Sequence, residues 1–230
     1  MLSRKSIAAA TASLLTSTAP VAAEMELSLY LGWQGVDDST LSGTLPGAVP
    51  VSRGMNWDGD PFNTPLYYGG RAMWWMPADL GIGVEGTHTK AYASAADMAA
   101  LGVNRLELSD GHNILTANVM KRWPEAFTGS PLVPYAGAGV GVAVPHVDVR
   151  VIGATGRTHG FETTGPALRG LAGLKYDLTE NWALFGEYQI TWSDNDITVD
   201  PDPAVPGQVA GKLQTEIVTH ALNFGVSYSF

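Results

Sequence analysis

The sequence predicts an all-β chain, an eight-stranded antiparallel transmembrane β-barrel, and three observations predict it. Apolar residues recur at every second position in eight segments, the signature of a strand with two unlike faces. The connections between those segments are alternately short and long, the pattern of short periplasmic turns and longer extracellular loops. The charges inside the segments, Arg71, Glu85, Arg169, Lys175 and Glu187, all fall on the parity opposite the apolar one.

The first residues read as a processing segment. Arg4 and Lys5 precede a small apolar run over residues 7–15, and Pro20 precedes Val21, Ala22 and Ala23. A basic start, a short apolar stretch and small residues at a cleavage point make residues 1–23 a signal peptide. Residues 24–230 are then a single outer-membrane barrel domain.

The eight segments follow in order. Met25, Leu27, Leu29, Leu31 and Trp33 alternate with Glu26, Ser28, Tyr30, Gly32 and Gln34. A helix would scatter these residues around its circumference. Tyr68, Gly70, Ala72, Trp74 and Met76 oppose Arg71, Met73 and Trp75, and Pro77-Ala78-Asp79 turns the chain. Leu80, Ile82 and Val84 oppose Glu85 and glycines. Leu115, Ala117 and Val119 oppose Thr116, Asn118 and Met120. In the fifth segment Ala136, Ala138, Val140, Val142 and Val144 oppose Tyr135 and three glycines. The sixth sets Leu168, Ala172, Leu174 and Tyr176 against Arg169 and Lys175, and the seventh sets Leu184, Tyr188, Ile190 and Trp192 against Phe185, Glu187 and Gln189. The last runs from Val218 to Phe230, with Leu222, Phe224, Val226 and Tyr228 on one face. Short turns are expected at residues 77–79, 124–131 and 177–181. Longer connections are expected at residues 36–65, 93–104, 151–158 and 194–212, with a short helix over residues 95–101.

A soluble sandwich would bury the apolar face and wet the polar one. The membrane barrel inverts this, and Trp and Tyr near the strand ends on the apolar parity match an interfacial girdle. The location expected is the outer membrane of a Gram-negative bacterium, with the chain a monomer. Phe230 closes a complete lipid-facing ladder and is the expected signal to the barrel-assembly machinery. No run of residues is long and apolar enough for a transmembrane helix. An eight-stranded lumen is wide enough only for side chains. Glu26 and the charges above should pair inside it, with Glu187 expected opposite Lys175 or Arg169, so a diffusion pore is not expected.

Composition narrows the chemistry. Without Arg4 and Lys5 there are eleven basic residues against twenty-two acidic ones. A nucleic-acid partner needs a basic face, and this balance argues against one. Cysteine is absent, which excludes disulfides and thiolate metal sites. Of five histidines, His88, His112, His146 and His159 are expected at the outer rim near several carboxylates. A divalent metal ion is conceivable there, with His146 and Asp148 as ligands, although no local ligand-pair spacing occurs. His146, which follows Pro145, is the best-placed base or ligand. His112 and Glu187 are the other catalytic candidates, Glu187 with structural pairing as its competing role. No His is followed two residues later by Ser, and no G-x-S-x-G occurs, which disfavours ester hydrolysis.

Several runs carry a resemblance. Residues 109–115 read Ser-Asp-Gly-His-Asn-Ile-Leu, and residues 134–141 read Pro-Tyr-Ala-Gly-Ala-Gly-Val-Gly. Pro145-His146-Val147, Gly165-Pro166, Glu187-Tyr188, Asn195 and the closing residues 223–230 complete the set. Together they resemble the lipid A oxidase-like small outer-membrane barrels of alphaproteobacteria, over about half the chain. The glycine-rich and terminal runs are shared with opacity-type and OmpA-like barrels, and His112 departs from the apolar residue expected there. The resemblance implies oxygen-dependent oxidation of the proximal glucosamine of lipid A to aminogluconate, with hydrogen peroxide as co-product. The alternative is a non-enzymatic OmpA- or opacity-like surface protein that binds lipopolysaccharide or another surface. In that reading residues 36–65, with Gly, Pro, Asp and Trp57, form an adhesive or mobile loop.

Overall fold

The computed structural model describes residues 24–230, and for residues 109 and 110 the backbone alone; the signal peptide expected over residues 1–23 lies outside the described residues. Twelve strands, one short α-helix and a single 3-10 turn at Pro77–Asp79 follow in order. They are β1 (Glu24–Val36), β2 (Ser39–Leu45), β3 (Val49–Met55), β4 (Trp57–Asp58), β5 (Tyr68–Met76), β6 (Leu80–Ala93) and α1 (Ala95–Leu101). Then come β7 (Val103–Arg122), β8 (Leu132–Val151), β9 (Thr158–Phe161), β10 (Gly165–Asp177), β11 (Trp182–Val199) and β12 (Gly211–Ser229).

Eight of these form the ring: β1, β5, β6, β7, β8, β10, β11 and β12, each antiparallel to the next. β12 closes on β1, with Leu31 opposite Phe224, so the ring has no open edge. The apolar parity read from the sequence faces outward throughout the membrane. Leu29, Ile82, Val119, Val140, Leu168 and Phe224 are among the exposed apolar side chains. These exposed positions mark the membrane-spanning segments as residues 27–33, 68–76, 80–86, 115–123, 132–142, 168–176, 182–192 and 218–230. Exposed Trp74, Trp123, Tyr176, Trp182 and Phe230 form the periplasmic girdle, and Trp33 and Tyr68 stand toward the outer one.

Inside the membrane the lumen is filled by large side chains laid across inward glycines. A Cβ on Gly69 would stand 2.2 Å from the Tyr30 hydroxyl, and one on Gly225 would stand 2.6 Å from the Phe185 ring. Close packing of this kind fills the lumen at these positions with side chains.

Beyond the membrane the strands do not become loops. They continue upward and exchange their polarity. Leu106, Leu108, Val147, Val149, Ile197, Val199, Leu213 and Ile217 now point inward and are buried. They join Leu41, Leu45, Met55 and Trp57 from β2, β3 and β4 in one apolar core. The reason is solvent: the outer wall meets lipid below and water above, so the apolar face turns inward once lipid ends. This corrects the reading of residues 36–65 as a mobile loop. β2 and β3 pair as a hairpin and add to β12 through Lys212–Thr44, while Trp57 pairs with Ala93 of β6. α1 covers the same side, with Ser94 accepting from the Asp97 amide at its start and Gly102 in the left-handed conformation at its end.

One bulge sets the register where the two halves meet. Between Leu108 and His112, three residues of β7 face a single residue on each neighbour, Lys90 of β6 and His146 of β8. Gly111 lies in this bulge at φ 114°, and a Cβ there would come within 2.7 Å of His88 and Asn113.

Candidate functional site

The residues expected to carry chemistry fall in three places. The first is the lumen within the membrane. Arg71 donates to Glu85 at 2.8 Å and to Glu187 at 2.7 Å, and Arg169 lies 3.0 Å from Glu85. Tyr30, Gln189 and Asn118 donate to Glu85 as well. Tyr135 and Asn223 donate to Glu187. Two guanidiniums thus balance two carboxylates, all buried. The expected polar plug is present, but the expected partner of Glu187 is not. Gly173 stands opposite it on β10, while Lys175 lies nearer the periplasm and pairs with Glu26 at 3.0 Å. Arg169 is taken by Glu85, Thr87 and Thr116. Glu187 is therefore the counter-ion of Arg71, buried in the lumen.

The second place is the outer end of the lumen, above the membrane-spanning segments. His112 is 1% exposed and meets Thr89 through Nδ1 at 3.2 Å. Its Nε2 stands 3.2 Å from both Ser193 and Asn195. The Thr89 hydroxyl donates to the His112 carbonyl, and Thr164 and the amide group of Asn195 complete the node. Burial pushes the His112 imidazole down to about 4, so the ring is neutral at neutral pH. A neutral imidazole beside a serine hydroxyl is the start of a nucleophilic site. Here Ser193 is fully buried, and the apolar core above and the ionic plug below seal it. The node joins polar lumen to apolar cap.

The third place is the outer wall. His146 and Asp148 lie on the outward face of β8, opposite Phe161 and His159 of β9. The His146 ring stands edge-on to His159 at 4.3 Å and to Phe161 at 4.9 Å. The Asp148 carboxylate lies 2.5 Å from Arg105 and accepts from Arg157. Burial alone would push the Asp148 carboxyl up. The Arg157 hydrogen bonds and the charges of Arg105 and Arg157 outweigh it and hold the group below its ordinary value. Asp148 and His146 are the pair expected to hold a metal ion, and here the Asp148 carboxylate is engaged by two guanidiniums. A carboxylate committed to two guanidiniums offers little to a cation, and among the described residues no group of three His, Asp or Glu is arranged to hold a metal ion.

The three expected catalytic residues are thus not brought together. His112 is opposite Pro145 in the register, one position from His146, but successive residues of a strand face opposite sides of the wall. Ser193, Thr89 and Thr164 escaped the sequence reading because two come from separated strands, β11 and β6, and the third from the connection just before β10. Arg150 was within reach: His146, Asp148 and Arg150 are at every second position and share one face.

A family model described as outer membrane protein beta-barrel domain matches residues 7–230. Among solved structures, the outer membrane protein OprG from Pseudomonas aeruginosa has a TM-score of 0.52 at 12% identity, covering 91% of this chain and 96% of that one. Neisserial surface protein A has a TM-score of 0.47 at 17% identity, covering 90% and 96%. Ail, the attachment invasion locus protein of Yersinia pestis, has a TM-score of 0.41 at 13% identity, covering 90% and 99%. The OprG likeness supports the fold alone. No curated protein matches the sequence.

Proposed function

The chain belongs to the outer membrane protein beta-barrel domain family and resides in the outer membrane of a Gram-negative bacterium, and from that premise we propose that it is a non-conducting surface protein whose outward wall engages the lipopolysaccharide leaflet. One observation carries the reading. The lumen is closed twice, by the buried ion network and by the apolar cap, so contact with other molecules falls to the outer wall and the cap's exterior. Native mass spectrometry of the barrel extracted mildly from its own membrane tests it. Retained lipopolysaccharide is the expected result, and folded barrel free of it would sink the reading.

A second reading, oxidation of the proximal glucosamine of lipid A with O2, is favoured by His146 and His159 on the outward wall. In that reaction the free anomeric carbon of the sugar loses two electrons and two hydrogens to give a lactone, O2 takes them up and leaves as hydrogen peroxide, and water then opens the lactone to aminogluconate, a net gain of one oxygen. His146 would be the base, without the help first expected from His112 and Glu187. Mass spectrometry of lipid A from cells with and without the gene decides it. A gain of one oxygen that His146→Ala abolishes supports oxidation, and unchanged lipid A at full expression ends it.

A further inference from the structure

The mature chain is strongly acidic, so positive charge gathered on one face needs a reason. The outward faces of β7 and β8 carry Arg105 and Arg150, and Arg157 stands beside them in the connection just before β9. Arg105 and Arg150 stand directly opposite each other in the β7–β8 register. Like charges in that position destabilise a strand pair. Carboxylates stand beside them among the described residues. Asp148 takes Arg105 and Arg157, and Glu107 takes Arg105 again. The Arg105 and Arg157 side chains stay 47% and 39% exposed all the same, and Arg150 is exposed too.

The height of this face identifies its surroundings. Along β8 the lipid-exposed residues end at Val142, and His146 follows under the exposed Phe161 ring. An aromatic ring beside a polar tip suits the boundary between acyl chains and headgroups. Arg150 stands four residues further, about 10 Å higher for a tilted strand. That is the layer of the saccharide headgroups, where the anionic groups within reach are phosphates.

We propose that the outward face of β7–β8–β9 docks the phosphate-bearing saccharide headgroup of an outer-leaflet glycolipid, with Arg105, Arg150 and Arg157 as the phosphate-binding residues. The phosphate would place negative charge between the opposed, exposed guanidiniums of Arg105 and Arg150, and their planar groups suit bidentate contact with it. This site rests on the outward-wall reading above and gives it an address.

The test titrates the full barrel in detergent micelles with rough-type lipopolysaccharide and with the same material stripped of phosphate by hydrogen fluoride. Wild type should prefer the phosphorylated form, and the preference should weaken as salt rises. Each arginine removed should cost about fivefold in that preference. The triple variant Arg105→Ala/Arg150→Ala/Arg157→Ala leaves Asp148 buried and unpaired. Arg150→Glu alone leaves those pairs intact and should lower the preference severalfold, with heat-modifiable mobility unchanged. A control, Arg53→Ala/Lys212→Ala, removes outer charge elsewhere and should bind as wild type does. Equal binding of both materials by wild type, or wild-type preference in Arg150→Glu, overturns the site while leaving lipopolysaccharide engagement standing. Binding of neither material overturns both.

Discussion

Glu85 shows how a charge survives in the middle of a membrane protein. Its two oxygens receive Arg71, Arg169, Tyr30, Gln189 and Asn118, and every donor comes from a different strand. Breaking a buried pair strands the remaining charge, so Glu85→Gln should cost about 3–5 kcal/mol, read as a lower urea midpoint for the barrel in vesicles. An unchanged midpoint would mean that the network is not carrying the charge balance. His112 predicts a pH effect outside the membrane. Unfolded, its imidazole binds a proton near 6.5; folded, it does so only at about 4. Between those values the unfolded state holds more protons, so stability is full above about 6.5 and falls as pH drops toward 4. The loss amounts to about 3 kcal/mol, and His112→Asn should remove it. Unfolding midpoints from pH 8 to pH 4 for both proteins check this, and parallel curves would count against it.

The hairpin β2–β3 converts a connection into a wall. Leu41 and Leu45 enter the apolar cap beside Ile197 and Leu213, and that burial holds residues 36–65 in place. Leu41→Asp places a charge in this core. Whole cells treated with trypsin should then show new cuts at Arg53, Arg105 or Arg150, with the membrane part still heat-modifiable. Wild-type resistance in the variant would show that the cap does not depend on this hairpin. At the other end, Phe230 is exposed to lipid, stacks edge-on to Tyr228 at 4.8 Å and donates its amide to Met25. Deleting Phe230 removes the last rung of the lipid-facing ladder and should lower the yield of inserted barrel in cells.

Taken together, the ring is a tube filled by two unlike materials. Within the membrane the filling is ionic and aromatic and the coat is apolar; above it the filling is apolar and the coat is charged. Neither half leaves room for diffusion, so planar bilayers should record no porin-sized conductance steps. Stable steps of that size would require the plug or the cap to open.

Much of this was legible in the sequence. Strand number, inward and outward parity, the lumen charges and the girdle follow from period two, because a strand's side chains must alternate and lipid accepts only one set of them. Even the cap left a trace. In β8 the apolar parity runs through Val140 and Val142 and then switches to Val147 and Val149; in β12 it switches between Ile217 and Leu222. The partners could not be read this way. Alternation says which side a residue faces but not how far along the tube its neighbour stands, and that depends on strand stagger and on the bulge at Gly111. Stagger gave Glu187 to Arg71, set His112 against Ser193 inside the wall, and left His146 outside it beside His159 and Phe161 of β9.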